Sequence, residues 1–177
     1  MSHIVEIFRG VVSKVEANIL AELQAKAPEI VTIHYEHGHY SEIDSTLIDY
    51  EKAPSFYNKK YPLVALFEDV AERDLGMGYR EATFTIVICY SSDAQKKSAD
   101  RYESVINPIL EPIYKELLRQ IKLSGMFMSY NIEHEKIVRP YWGVEGKFGN
   151  RANIMSDILD AIELRNIRLK VYPIDEC

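Results

Sequence analysis

The residues best equipped for chemistry lie in "IHYEHGHYSEID", residues 33–44, where His34, His37 and His39 fall within six positions beside Glu36, Glu42 and Asp44. Three imidazoles with nearby carboxylates are the ligand types that zinc or iron sites use, so a metal-dependent hydrolase is one reading of the chain. The spacing argues against it. On a strand, His37 and His39 share a face with Tyr35 while His34 and Glu36 point the other way, which divides the set. A helix could bring His34 and His37 together, but Gly38 and the tyrosine-rich composition oppose one there, and the HExxH spacing of helical zinc proteases is missing. The expectation is therefore solvated or edge-strand histidines, with a turn at Gly38 as the one geometry that could still gather them.

Other groups carry less weight. Glu68 with Asp69, and Glu133 with Glu135, are carboxylate pairs of the kind any solvated strand end shows. "GMGYRE" has neither the GxxxxGK[ST] pattern nor the strand-turn-helix setting of a phosphate loop. Cys89 sits in an apolar strand-like run and reads as a small core residue rather than a nucleophile; with Cys177 it forms neither a CxxC pair nor a disulfide framework. The net charge of −6, with no basic cluster, excludes a general affinity for nucleic-acid phosphates or anionic lipid.

The elements that must position these residues come from periodicity. A length of 177 residues with 47% hydrophobic content predicts one domain, 1–177, with a sizeable core. Ile4, Ile7, Phe8, Val11, Val15, Ile19 and Leu23 predict an amphipathic helix ended by Pro28, and from Ile30 onward the β-branched and aromatic residues suit a strand or loop. "YPLVALF" and "ATFTIVICY" predict two strands of a hairpin joined by a long polar loop over residues 69–80. Loops of that length in a compact domain tend to carry function, so Asp69, Glu72, Arg73, Met77, Tyr79 and Arg80 are candidate partner contacts, the alternative being a solvated hairpin tip.

The run from Val105 to Ile121 is the strongest helical stripe. Asn107 is its expected N-cap with Pro108 at the first helical position, and Pro112 predicts a bend before the helix ends at Gly125. "EKIVRPYWG" predicts a strand stopped at Pro140, "GVEGKFGN" a mobile loop, and residues 153–159 a short helix. In "AIELRNIRLKVY" the apolar phase changes between Leu164 and Ile167, which predicts a β-bulge near Arg165 and Asn166. Tyr141 and Trp142 are candidate interface anchors, the alternative being that the single tryptophan packs the sheet. The fold class expected is α/β (α+β): an antiparallel or mixed sheet flanked by an N-terminal helix and a long proline-bent helix.

Three blocks, "KYPLVALFEDVAER", "RYESVINPILEPIYKELLRQIKLSGMF" and "YWGVEGKFGNRANIMSDILDAIELRNIRLKV", together resemble the tail-terminator or tail-completion proteins of tailed bacteriophages. The resemblance implies a sheet flanked by helices and a ring of subunits, typically hexameric, that caps the tail tube and meets the head-completion or connector protein. It implies no catalysis and no cofactor, and it marks no site residue. A head-tail connector or adaptor ring of another tail type is the neighbouring alternative, and a plain cytosolic adaptor a further one. The opening residues lack the apolar core and cleavage site of a signal peptide, and no run reaches the roughly 20 apolar residues of a membrane span. The expected location is the host cytoplasm during assembly and then the virion.

Overall fold

The computed structural model describes residues 3–53, 55–56, 59–128, 132–145, 152–153 and 155–172. Helix α1 (His3–Lys26) leads into strand β1 (His34–Gly38), helix α2 (Tyr40–Lys52) and strands β2 (Leu63–Phe67), β3 (Ala71–Gly76) and β4 (Tyr79–Ser91). A continuous helical segment follows: α3 (Ser98–Arg101), a π-wound stretch (Tyr102–Leu110) and α4 (Glu111–Leu123). Strand β5 (Glu133–Trp142), the two-residue strands β6 (Val144–Glu145) and β7 (Ala152–Asn153), and β8 (Leu159–Val171) complete the order.

The sheet runs β1-β2-β4-β8-β5, with β3 added to the side of β4. Only β1 and β2 are parallel, joined through α2; the remaining pairs are antiparallel, so the sheet is mixed and the fold is α+β as expected. Parity divides the strands between two faces. Tyr35, Val64, Phe84, Ile88, Ile162 and Leu164 face the layer made by α1 and α4, where the Phe8 ring meets Phe84 edge-on at 5.1 Å and Phe127 at 6.0 Å. Asn18 of α1 donates to Glu116 of α4 at 2.9 Å and binds the two helices together. On the second face α2 covers one corner, burying Ile43 and Leu47 and setting Tyr50 against His34 at 5.1 Å. Farther along that face Arg165, Arg168, Lys170, Glu133 and Glu135 stay partly or fully exposed.

Four elements differ from expectation. The stretch after β1 is a helix, α2, because His39 caps it: His39 Nδ1 accepts from the Ser41 N–H at 3.4 Å, and Glu42 Oε2 accepts from the His39 N–H at 3.3 Å. Asn107 is not a cap, since the helix begins nine residues earlier at Ser98. A proline inside an α-helix removes a donor and crowds the carbonyl four residues back; the chain widens to π winding instead, with the Glu111 N–H donating to Ile106 O, five residues back. Pro140 does not stop β5. It lies on a sheet edge, where a missing donor is tolerated, and the pairing slips between Arg139 and Trp142. The short helix expected over 153–159 is absent among the described residues: 152–153 form β7 and Leu159 opens β8. Of the expected glycine-rich loop, residues 146–150 lie outside the described residues.

The bulge expected in the last strand is present. Phe84 and Ile86 of β4, two apart, oppose Ile167 and Leu164 of β8, three apart, and Asn166 takes up φ 54°.

Candidate functional site

The segment expected as a long loop is a second hairpin. Ala71 pairs with Thr83, Glu72 with Ala82, Arg73 with Glu81 and Asp74 with Arg80, so β3 and the start of β4 form an arm beyond the end of β2, whose β4 strand is paired on its other side with β8 from Arg80 onward. Met77 (φ 53°) and Gly78 (φ 78°) make its turn. Positive φ at both central residues is the two-residue turn whose twist matches antiparallel strands, which is why glycine stands at the second position. The register slips between Asp74 and Gly76, leaving Leu75 outside the ladder, and Asp74 Oδ1 accepts from the Gly76 N–H at 2.7 Å.

Ala82 of β4 is buried, while β3 folds no side chain inward. Glu72 and Arg80 share one side, 3.4 Å apart, while Arg73 stands opposite Glu81 on the other. All six residues of β3 are exposed; Leu75 is 42% and Met77 94% accessible. Among the described residues β3 pairs with β4 alone, so it forms an edge of the sheet. Asp69, Glu72, Arg73, Met77, Tyr79 and Arg80 are thus brought together on one projection. Asp69 stands at its root with φ 93°, and Tyr79 is half-buried after the turn.

Tyr141 and Trp142 lie elsewhere, by the start of β8; Tyr141 is exposed and Trp142 turns inward. Trp142 Nε1 donates to Glu163 Oε1 at 2.5 Å, and its ring packs 6.0 Å from Phe67, so the tryptophan packs the sheet. The other oxygen of Glu163 faces Arg139 at 3.2 Å and Arg165 at 2.7 Å. Tyr141 lies over the Arg101 guanidinium, 3.6 Å from ring centroid to Cζ, and its hydroxyl donates to Lys96 O at 2.8 Å.

That guanidinium is the centre of a network not read from the sequence. Arg101 and Asp160 are each 0% exposed and paired at 2.7 Å; Arg101 Nε donates to Lys96 O at 2.9 Å and Nη2 to Asp93 O, while Asp160 Oδ1 also accepts from the Tyr141 N–H at 3.1 Å. Asp160 Oδ2 is buried without a hydrogen-bond partner among the described residues, while the bonds that are made fasten the 93–96 connection and the β5 bulge to β8. Lys60, likewise buried, pairs with Asp157 at 2.7 Å, and the Tyr61 hydroxyl donates to the same carboxylate at 2.7 Å.

The histidines are dispersed. His34 and His37 project from opposite faces of β1; His34 Nε2 lies 3.0 Å from Glu36 Oε1, the His37 ring stacks on Tyr35 at 6.3 Å, and His39 is the α2 cap. Among the described residues no group of three or more His, Cys, Asp or Glu side chains is arranged to hold a metal ion. Burial pushes the Cys89 thiol and the Tyr35, Tyr61 and Tyr90 hydroxyls upward, away from neutral titration. No helix among the described residues is long and apolar enough to cross a membrane.

The chain matches no protein-family model and no curated protein. What the geometry itself offers is a surface for contact: an exposed hairpin arm at the edge of the sheet.

Proposed function

We propose that this chain is a structural subunit of a tailed-phage virion, of the tail-terminator or tail-completion kind. Its copies close into a ring that caps the tail tube and meets the head-completion or connector protein. The observation that supports this reading most is the arm. Six consecutive strand residues are exposed at the edge of the sheet, with a methionine at the tip. An exposed strand edge and an exposed apolar tip are surfaces that strand addition and hairpin docking between chains use. The three sequence blocks that resemble this family supply the kind of assembly. The subunit acts in the host cytoplasm and then in the virion, without a cofactor.

The test is a shortened arm. Replacing residues 73–81 by Asn-Gly keeps Glu72 opposite Ala82 and closes the hairpin with a permitted two-residue turn. Light scattering and negative-stain images of the parent, alone and with tail-tube protein, are expected to show a closed ring, and the shortened chain a folded monomer. A parent that stays monomeric in every mixture refutes the reading. A ring that binds connector protein but not tube protein identifies a head-tail adaptor instead.

A further inference from the structure

At the root of the arm the surface sinks into a cleft of about 420 Å³, lined by Val5, His37, Gly38, Leu66, Glu68, Asp69 and Val70. Val5, Leu66 and Val70 give it an apolar floor and Glu68 and Asp69 an acidic rim. The tip of the arm is the complement. Met77 supplies an exposed apolar side chain, the turn supplies backbone N–H and C=O groups, and Arg80 is the single charge between Leu75 and Arg80.

We propose that the cleft receives the hairpin tip of a second copy of this chain, with Met77 on the Val5, Leu66 and Val70 floor and Arg80, which lies 3.4 Å from Glu72 in its own chain, turned to Glu68 and Asp69. The contact rests on the ring-assembly reading and names its two surfaces. A chain cannot fill its own cleft, because the six extended residues of β3 hold tip and root about 20 Å apart. The contact is therefore between copies and uses two different patches. Such a head-to-tail contact repeats from copy to copy until it closes on itself, which is what a ring requires.

Two variants test it. In a Cys177→Ser background, oxidation of Met77→Cys/Val70→Cys is expected to give a ladder of covalent multimers, with at most dimers from either single cysteine variant. Met77→Glu, which brings a carboxylate to an acidic rim, is expected to weaken association at least ten-fold while far-UV and near-UV circular dichroism stay those of the parent. If the parent forms rings, yet the double variant gives no ladder and Met77→Glu assembles like the parent, the tip-to-cleft contact is overturned and ring assembly stands. If the parent forms no oligomer at any concentration, alone or with tail-tube protein, both fail together.

Discussion

Arg101 and Asp160 show how one pair of charges fixes a local conformation. Both are fully buried, and Asp160 stands in the apolar phase of β8, in line with Ile162 and Leu164. Converting Asp160 to Asn leaves a buried guanidinium without its counter-charge, and the expected cost is about 3–5 kcal/mol, read from urea unfolding midpoints. Glu116 makes a second residue-scale prediction. Its carboxylate accepts from Arg119 Nε and Nη2 at 2.7 Å each, Gln120 at 2.8 Å and Asn18 at 2.9 Å, and these bonds, the Arg119 one foremost, hold its pKa down to about 2. A group lowered on folding contributes stability that is complete above its ordinary value of 4.5 and is lost as pH falls through about 2. Glu116→Gln is expected to be less stable than the parent at neutral pH and to lose less stability on acidification; parallel acid limbs for the two proteins would contradict the assignment. The charge in the apolar phase at Asp160 was a signal open to sequence reading. Its partner was not, because Arg101 lies 59 residues away in a stretch that reads as a polar connection.

At the scale of elements, the sheet depends on positions where the backbone turns left-handed. Asn166 at φ 54° carries the β8 bulge, and asparagine is among the few residues with a side chain that tolerate that region. Asn166→Gly is expected to leave stability within about 0.5 kcal/mol, while the β-branched Asn166→Val is expected to cost about 1–2 kcal/mol. Gly78→Val strains the arm's turn in the same way. Because β3 pairs with β4 alone among the described residues, the expected outcome there is an unchanged global unfolding midpoint with faster amide exchange confined to residues 71–79. The bulge was legible because an extra residue shifts the apolar phase, and phase is visible in sequence. Helix α2 was masked by histidine and tyrosine, although the four-residue spacing of Ile43 and Leu47 and the His39/Glu42 capping box were its signals. The start at Ser98 was hidden because Asn107-Pro108 imitates a helix N-terminus, whereas Pro108 sits inside a π-wound stretch.

For the whole molecule, assembly through the arm predicts a particle mass that rises with protein concentration toward a closed value. The shortened-arm chain is expected to hold monomer mass over the same range, as sedimentation velocity would measure. The sequence by itself determined the class of fold and its core. Apolar period along α1, β2, β4, α4 and β8, the phase change at Asn166 and the inward strand position of Cys89 follow from local patterns that burial enforces. The candidate residues from Asp69 to Arg80 were also picked out, though as a loop. Tertiary structure decided that they form a paired arm, because β3 becomes a strand only where β4 extends past β2 to offer it an edge. It also decided that Trp142 turns inward to Glu163, that the histidines part company, and that Arg101 meets Asp160. Each of these depends on residues distant in the chain arriving at one place, which no local period encodes.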